Sequence, residues 1–400
     1  MATNNNDKTL NVPPLRFPEF SGEWEKYKLS EMCSFFSGGT PSSSKKEYYD
    51  GNIPFIRSGE LHDDQTELFI TEDGLKNSAA KMVEVGDLLL ALYGATSGDI
   101  AISKINGAIN QAILCIRTEQ SKKFIESIWY KHAGKLLQTY LQGGQGNLSA
   151  DIVKNISFYF ATIEEQKKLA KFISLLDERI STQNKIIEKY ESLIQVMCDT
   201  LIESELHKVE LAFSDFGESY SGLSGKSAED FGEGCPYITY MNVNQNQIID
   251  TTNVGLVKIN EAEQQSVVRY GDILFTLSSE TPEEVGMGAV YLGKTYPLFL
   301  NSFCFGVHIM DENKIFPPFL AYYVSTKSFR KAVFPLAQGS TRFNLQKNDF
   351  MKKIFSFPTV ERQKKIYLVL KAYSDKLSVE KSMAKLFCEH KNHLLRQLFI

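Results

Sequence analysis

The chain has 400 residues, of which 43% are hydrophobic, and this length favours two or more globular domains. No run of about 18 apolar residues occurs, and the polar, Asn-rich first 14 residues lack the apolar core of a signal peptide. Six widely spaced cysteines without a CxxC pair favour a reduced, cytoplasmic protein with free thiols and no membrane association.

The net charge of −4 does not by itself indicate a nucleic-acid-binding protein. The charges are segregated along the chain, however. Residues 209–335 contain 8 Lys and Arg against 15 Asp and Glu, whereas residues 336–400 contain 13 against 5. Any contact with DNA is therefore expected to use local basic and polar patches.

The first half of the chain begins with a polar tail, residues 1–20, and continues with a domain predicted over residues 21–160. Short apolar segments bounded by glycine, such as 87–92, predict β-strands. The sequence SGGTP at 37–41 predicts a turn between such strands.

A long helix is predicted over residues 161–206. Apolar residues recur there at alternating intervals of four and three, which is the pattern of a coiled-coil seam. The seam positions are Leu169, Ile173, Leu176, Ile180, Gln183, Ile187, Tyr190, Ile194, Met197 and Leu201.

The second half of the chain repeats this order, with a domain predicted over 207–357 and a helix over 358–400. VGDLLL at 85–90 matches YGDILF at 270–275, and IEEQKK at 163–168 matches VERQKK at 360–365. An internal repeat of this length predicts two similar units. The corresponding second seam is Ile366, Leu370, Tyr373, Leu377, Glu380, Ala384, Phe387, Lys391, Leu394 and Leu398.

Gln183 and Glu380 occupy the same position of the two seams. A polar seam residue either fixes the register of the helices at a cost in stability, or marks a place where the seam loosens and the side chain reaches solvent. The helices could dimerise between chains. Two similar helices in one chain, each following a globular half, rather favour an intramolecular antiparallel pair that holds the two halves apart.

No catalytic constellation is evident. GLSGKS at 222–227 resembles a phosphate-binding loop, but Tyr220 stands where the first glycine is required, which favours a flexible turn. Cys388, His390 and His393 cluster on the last helix without a second ligand group at zinc spacing, so no metal site is expected. The chain is predicted to bind rather than to catalyse.

These features together resemble the specificity subunits of Type I restriction–modification systems. The resemblance covers nearly the whole chain and rests on the order of its motifs rather than on any one of them. The motifs are the segments 15–20 with Trp24, 37–41, 53–56, 58–61, 86–89 and 110–113, and the two helices headed EQKK and RQKK.

The resemblance implies an α+β fold with two α/β target-recognition domains, separated by two long helices in an antiparallel coiled coil and related by a pseudo-twofold repeat. Each domain would read one half of a split double-stranded DNA sequence. The chain would bind two methyltransferase subunits and, through them, restriction and motor subunits. S-adenosylmethionine, ATP and Mg would be held by those partners, and this subunit would need no cofactor and supply no catalytic residue.

Polar and basic side chains in loops are the candidates for contact with base edges, because the major groove presents a distinct donor and acceptor pattern for each base pair. Arg57, beside a turn, is expected to bind guanine. The full set is Ser37, Thr40, Arg57, Ser58 and Tyr93 in the first domain and Tyr220, Ser221, Thr239, Asn242 and Ser278 in the second. Each of these could instead be a solvated loop residue.

A basic cluster of Arg342, Lys347, Lys352 and Lys353 suits contact with phosphates, although it could equally form a solvated face. The acidic character of the second domain departs from what a large electrostatic footprint on DNA would require. Two other functions remain open from the sequence: an orphan specificity subunit that supports no restriction, and a coiled-coil scaffold with two protein-binding modules.

Overall fold

The computed structural model describes residues 10–141, 148–260 and 262–400. The chain forms two compact units. Unit 1 comprises the described residues up to Asn184 together with Met383–Ile400, and unit 2 comprises Lys185–Ser382. The division falls inside both long helices, so each unit contains a stretch of each helix.

Unit 1 contains ten strands within the described residues. They are β1 (Glu25–Lys28), β2 (Ser34–Ser37), β3 (Tyr49–Ile56), β4 (Phe69–Ile70), β5 (Lys81–Val83), β6 (Leu88–Ala91), β7 (Ile100–Ile102), β8 (Gly107–Ile109), β9 (Ile113–Arg117) and β10 (Ser157–Phe160). The helices that begin in it are α1 (Leu29–Met32), α2 (Glu72–Lys76), α3 (Lys122–Leu141), α4 (Ala150–Asn155) and α5 (Ile163–Glu203).

Unit 2 follows the same plan with additions. Its strands are β11 (Lys208–Ala212), β12 (Gly217–Ser221), β13 (Phe231–Ile238), β14 (Gly255–Val257), β15 (Ile273–Thr276), β16 (Ser278–Ser279), β17 (Gly288–Val290), β18 (Phe299–Leu300), β19 (Cys304–Ile309), β20 (Ala337–Gln338), β21 (Phe343–Leu345) and β22 (Ile354–Pro358). Its helices are α6 (Tyr240–Gln245), α7 (Pro317–Tyr323), α8 (Lys327–Val333), α9 (Lys347–Lys352) and α10 (Val360–Leu398).

The two units share their sheet topology. The main sheet has the order β2-β9-β6-β7 in unit 1 and β12-β19-β15-β17 in unit 2. A second sheet is built around a parallel pair, β3 with β8 and β13 with β18. A two-stranded sheet, β1-β10 or β11-β22, leads into each long helix. Only the three-stranded sheet β16-β21-β20 has no counterpart among the described residues of unit 1.

The central strand of each main sheet is buried on both faces. In β6, Leu88 and Leu90 pack against Trp129 of α3, whereas Leu89 packs on the opposite side with Ile109 of the second sheet. All four residues of β6, and all four of β15, are buried. A continuous apolar run is what a strand covered on both faces requires, since successive side chains alternate between the faces.

The repeated Gly-Asp motif forms the turn before this central strand. Gly86 and Gly271 have φ of +93° and +88°, a conformation that favours glycine. The following carboxylates accept backbone N–H groups three residues back, at 3.1 Å for Asp87 and 2.8 Å for Asp272. Burial would raise the pKa of Asp87, but the ion pair with Arg117 at 2.8 Å, the Glu84 backbone N–H and the charge of Lys122 together lower it. The Gly-Asp motif therefore serves to form and stabilise the turn.

The long helices run antiparallel within each unit. In unit 1, Asp177 pairs with Lys391 at 2.5 Å, and the Arg179 guanidinium lies 5.1 Å from the ring centroid of Phe387. Residue numbers rise along α5 as they fall along α10. In unit 2 the same order is shown by two ion pairs, Glu191–Lys381 at 2.6 Å and Glu205–Arg362 at 2.7 Å.

The predicted seam positions lie along the covered side of both helices, and their role as a coiled-coil seam stays a prediction. All twenty seam positions lie within the described part of the chain, and each is buried or half-buried. Gln183 is only 2% exposed and Glu380 only 7%. The alternative in which these two side chains reach solvent is therefore wrong, whereas their role in fixing register stays a prediction.

The six cysteine thiols are all free. No helix within the described ranges is long and apolar enough to cross a membrane. The predicted α+β class, with two similar α/β domains and an antiparallel helix pair, is confirmed.

Candidate functional site

In unit 2, the chain that leaves β12 passes directly over the end of β18. A Cβ atom at Gly222 would lie 2.0 Å from the carbonyl oxygen of Asn301. The backbone nitrogen of Leu223 donates to the carbonyl oxygen of Leu300 at 2.7 Å. Glycine is thus required at position 222 by the close approach of the two segments.

The turn between β18 and β19 presents two side chains at the surface. The Oδ1 atom of Asn301 accepts a hydrogen bond from the backbone nitrogen of Phe303 at 2.9 Å, closing an Asx turn. Ser302 is exposed, and Phe303 is 47% exposed. An exposed aromatic side chain beside polar groups is suited to binding a planar ligand or supporting a planar side chain.

The hairpin of β20 and β21 adds a third segment to this edge. β21 pairs with β16 so that Asn344 lies opposite Ser278. At the hairpin tip, Gly339 has φ of +149°, and a Cβ atom there would lie 2.0 Å from the carbonyl oxygen of Arg342. The glycine therefore allows the tight tip that presents Arg342 at the surface.

Two contacts hold the guanidinium group of Arg342, one at its Nε edge and one against its flat face. Its Nε donates to the Oγ of Ser278 at 2.9 Å, and its central carbon lies 5.0 Å from the ring centroid of Phe303. Within residues 10–141, 148–260 and 262–400, no group accepts a hydrogen bond from its two terminal nitrogens. The outer edge of the guanidinium group is therefore available to a ligand.

The three segments enclose two adjoining cavities of about 440 and 470 Å³, which share Leu223 and Ser302. Residues 221–228, 301–305 and 344–347 lie along these cavities, and Arg342 lies at the rim over the Phe303 ring; we call the whole region the strand-end groove. Lys226 is paired with Glu263 at 2.5 Å, whereas Lys347 lines the second cavity. Hydroxyl and amide groups supply much of the remaining polar surface.

Unit 1 forms the same backbone arrangement with different side chains. A Cβ atom at Gly38 would lie 1.8 Å from the carbonyl oxygen of Ile109, the residue before Asn110, so this glycine is required by a close approach as Gly222 is in unit 2. Asn110 closes the equivalent Asx turn by accepting from the backbone nitrogen of Ala112 at 3.0 Å. The turn carries Gln111, which accepts from the Thr40 hydroxyl at 2.6 Å.

Tyr93 occupies the place in unit 1 that Ser278 occupies in unit 2. The preceding residues make the same bond, from Leu92 to the Ala112 carbonyl oxygen at 2.7 Å and from Leu277 to that of Phe303 at 2.8 Å. Tyr93 is 37% exposed, whereas Ser278 is buried under the hairpin. The stretch that matches this hairpin in the repeat includes 142–147, which lie outside the described residues.

Comparison with known proteins gives the same two-part division. The family model described as the Type I restriction modification DNA specificity domain matches the chain twice, over residues 21–192 and 212–385. The chain belongs to this family.

Curated proteins similar to this chain are specificity subunits of Type I restriction enzymes. The MjaVIII specificity subunit of Methanocaldococcus jannaschii is 23% identical over 393 residues, covering 92% of this chain and 89% of that protein. The EcoR124I/EcoR124II specificity subunit of Escherichia coli is 25% identical over 185 residues, covering 44% of this chain and 45% of that protein.

Two solved structures share the fold. The S subunit of a Type I restriction-modification system from M. genitalium superposes with a TM-score of 0.53 at 16% identity, covering 97% of this chain and 99% of its own. A chain from a study of complex assembly and conformational transition in a Type I system gives 0.59 at 15% identity, covering 94% and 97%.

Family membership confirms the function predicted from the sequence. The chain is a DNA-specificity subunit with two recognition domains, and it is a recognition component of a restriction–modification complex rather than a catalytic one. Among the described residues, no group of three or more His, Cys, Asp or Glu side chains is placed to hold a metal ion.

Some predicted base readers of the specificity subunit lie in its interior, and we correct those assignments. Tyr220 is 8% exposed, donates to Asp272 at 2.8 Å and stacks on His308. Asn242 is 1% exposed, and its amide donates to two loop carbonyl groups. Thr239 caps α6 by accepting from the Asn242 nitrogen at 3.3 Å. Tyr220 and Asn242 therefore organise the loops from the interior, whereas Thr239 is half-buried and its hydroxyl is used as a helix cap.

Arg57 is engaged by acidic neighbours. One of its terminal nitrogens donates to Glu60 at 2.7 Å and to Glu67 at 2.8 Å, and Ser58 is half-buried in the turn that follows. These hydrogen bonds, with Glu60 first, raise the pKa of Arg57. Guanine would have to compete with two carboxylates for this side chain, which opposes the predicted contact.

The remaining predicted residues fall into two groups. One group lies at the strand ends beside the two Asx turns, and we call its members the strand-end positions: Ser37, Thr40 and Tyr93 in unit 1 and Ser221, Ser278, Arg342 and Lys347 in unit 2. Lys352 and Lys353 stand at the other end of α9, where the chain enters β22. The predicted basic cluster is thus divided, and its contact with phosphates stays a prediction.

Phe303 and Ser302 are surface residues of the groove that the sequence did not single out. A signal for them existed, because the Asn110-Gln111 motif of the first half has Asn301-Ser302 as its counterpart. Recognising that match would have placed Phe303 directly after the turn.

Proposed function

We propose that each unit reads one half of a bipartite double-stranded DNA site through its strand-end positions, in unit 2 through the strand-end groove. The observation that carries this proposal is that a similar turn and close backbone approach recur at the strand ends of both units, whereas the side chains there differ. Gln111 and Ala112 in unit 1 stand where Ser302 and Phe303 stand in unit 2.

Different side chains on one backbone frame imply different half-sites. Base edges are distinguished by hydrogen-bond donors, acceptors and apolar contacts placed in the major groove. A tyrosine in unit 1 replaces the serine that anchors an arginine in unit 2. We therefore expect a target that is not a palindrome.

The acidic composition of unit 2 does not oppose this role, because specificity and electrostatic affinity come from different contacts. Phosphate contacts orient a protein on the duplex, whereas groove contacts supply the sequence information. Arg342 and Lys347 bring positive charge to the groove itself. Partner subunits would supply the rest of the phosphate-binding charge.

We further propose that the chain assembles two methyltransferase subunits and, through them, motor–nuclease subunits, with adenine methylation and DNA cleavage as the activities of the complex. S-adenosylmethionine would be bound by the methyltransferase subunits, and ATP and Mg by the motor subunits. The DNA target places such a complex in the cytoplasm.

Exposed apolar side chains outside the seam support docking of partner helices. In unit 2, Leu368 is 64% exposed and Val379 52% exposed. They are 11 residues apart, which is about three helical turns, so they lie on the same side of α10. In unit 1, Leu175 and Leu386 are 54% and 61% exposed. Apolar side chains repeated on a solvent-facing helix surface favour a protein interface.

The test of DNA recognition is a selection experiment. The full chain is mixed with matching methyltransferase subunits and a pool of random duplexes, and the bound or methylated duplexes are sequenced. We expect two short motifs at one fixed separation. A pool in which no motif is enriched, despite formation of the protein complex, would show that the chain is a protein-binding scaffold.

The test of partner docking uses the double variant Leu368→Ser and Val379→Ser, with Lys365→Ala on the same helix as the matched control. We expect native mass spectrometry to show loss of a methyltransferase subunit for the double variant only. Unchanged stoichiometry would place the interface elsewhere.

A further inference from the structure

We propose that Arg342 reads a guanine in the half-site bound by unit 2, with Phe303 and Ser278 as its positioning residues. The inference rests on the proposed function, because it names a base recognised in the strand-end groove. Its structural basis is a guanidinium group that is fixed on two sides and available on the third.

The chemistry of the available edge fits guanine. Guanine presents two acceptors, N7 and O6, in the major groove, and the planar guanidinium group can donate to both at once. Since the Nε of Arg342 already donates to Ser278 at 2.9 Å, the two terminal nitrogens remain as the donor pair. The expected contact is therefore end-on, with one terminal nitrogen on each acceptor.

The surroundings restrain the plane of this group. The Phe303 ring supports the guanidinium face at 5.0 Å, and Phe303 is itself placed by the Asx turn of Asn301. Ser278 is 5% exposed and lies in β16, which pairs with β21 next to Arg342. A side chain that is ordered before binding loses less conformational entropy on contact, which favours a selective bidentate bond.

A contact with phosphate would not require this arrangement. Arginine can also bind phosphate bidentately, but a lysine, as a flexible point charge, is sufficient for phosphate, and Lys347 lines the same groove. An aromatic support and a hydrogen-bonded Nε instead restrict the direction in which the guanidinium group can donate. The geometry therefore points to a base edge.

The two positions of unit 1 that correspond to Phe303 and Ser278 carry different residues. Ala112 and Tyr93 replace Phe303 and Ser278 there, and Arg57 shares its donor nitrogen between two carboxylates. The guanine read by Arg342 therefore belongs to one half-site only. The other half-site serves as an internal control for folding and assembly.

The experiment compares motifs selected by the complex containing the full wild-type chain, Arg342→Ala, Arg342→Lys or Phe303→Ala. For wild type we expect one guanine in one half-site to be preferred over other bases by roughly fivefold to more than a hundredfold. Arg342→Ala and Arg342→Lys should both lose that single preference and keep every other position. Phe303→Ala should weaken it, because the guanidinium group would be less restrained.

Lys352→Ala is the control for loss of a positive charge. We expect any change in affinity that it causes to be the same for all DNA sequences. Binding is also measured against salt concentration, since loss of a phosphate contact lowers affinity for all sequences and reduces the salt slope. A uniform loss with Arg342→Ala, restored by Arg342→Lys, would overturn the proposal in favour of a phosphate contact. An unchanged motif would overturn it as well. If wild type itself selects no motif, the proposed function fails, which is a distinct result.

Discussion

Gln166 and Gln363 occupy the same position of the repeat, and each ties the start of a long helix to a preceding segment. Gln363 donates to the carbonyl oxygen of Pro358 and accepts from the backbone nitrogen of Phe316, both at 2.8 Å. Gln166 makes the corresponding bonds, to Ala161 at 2.9 Å and from Ser121 at 3.2 Å. One amide thus satisfies two backbone groups at each helix start, which explains the repeated glutamine.

We predict that Gln363→Ala lowers the free energy of unfolding by about 1–3 kcal/mol, because a buried donor and acceptor lose their partners. The effect would be measured by urea denaturation of the full chain. Lys365→Ala, an exposed change two residues along the same helix, should alter it by no more than about 0.5 kcal/mol. Equal urea unfolding transitions for the two variants would show that Gln363 does not contribute to the stability of the fold.

The lowered pKa of Glu60 predicts how the stability of the fold depends on pH. Burial raises the pKa of Glu60, but hydrogen bonds from Arg57, Thr66 and the Glu67 backbone bring it to about 2. The unfolded value is about 4.3. A carboxylate whose pKa is lower in the folded state stabilises the fold above its unfolded pKa, and this stabilisation is lost as the pH falls towards the folded pKa.

The difference in unfolding free energy between wild type and Glu60→Gln should therefore be constant above about pH 5 and shrink between about pH 4 and 2. Urea titrations across this range would measure it. Glu67→Gln is the matched control, because Glu67 contacts the same arginine but is 86% exposed at the side chain. A difference that does not change with pH would rule out the Glu60 carboxylate as its source.

Among the secondary-structure elements, the two long helices carry both the apolar seam and its polar interruptions. Lys391 lies in the seam and is paired with Asp177, which also pairs with Lys123 of α3 at 2.6 Å. The positive charge of Lys391 in the seam is therefore balanced by the carboxylate of Asp177. This pair is half-buried, and we expect it to favour one register of the helices more than it adds stability.

We predict that the helix pair sets the gap between the half-sites. The seam from Leu169 to Leu201 covers about 32 residue steps, or roughly 48 Å at 1.5 Å per residue. This length exceeds one DNA turn of about 34–36 Å. One heptad added to both helices at matching positions would lengthen each by about 10 Å and keep the seam in phase.

On DNA, about 10 Å corresponds to about three base pairs at 3.4 Å each. Selection from a library with randomised gaps should then return the same half-sites at a longer gap, or no binding if the added rotation prevents simultaneous contact. Full activity at the original gap would show that other parts of the chain set the spacing.

For the whole molecule, the duplicated architecture predicts independent recognition. Each unit has its own main sheet, core and strand-end positions. Contacts made by separate modules without shared partners are expected to contribute nearly additively. Replacing residues 21–160 with the equivalent region of a relative should therefore change one half-site only.

Motif selection with this exchanged chain provides the measurement, and the unaltered half-site reports that unit 2 is still folded. If both half-sites changed together, the two units would not act independently, and the modular interpretation would be wrong.

The sequence by itself determined the family, the duplication, the two long helices and the stripe on which they pack. These features follow from motif order and from periodicities of two, three and four residues, which are local properties of the chain. The glycines of the repeated turns were also evident. Their physical reason, a carbonyl oxygen about 2 Å from the missing Cβ, required the second segment to be seen.

Only the tertiary structure decided which polar loop residues face outward. Tyr220 and Ser221 are neighbours in sequence, yet only Tyr220 is buried. Its hydroxyl donates a hydrogen bond to Asp272, 52 residues away. Arg342 is held at the surface by Ser278, 64 residues away, and by the ring of Phe303. Residue type and neighbours in sequence could not separate these cases, because burial and orientation depend on the distant segments that the fold brings into contact.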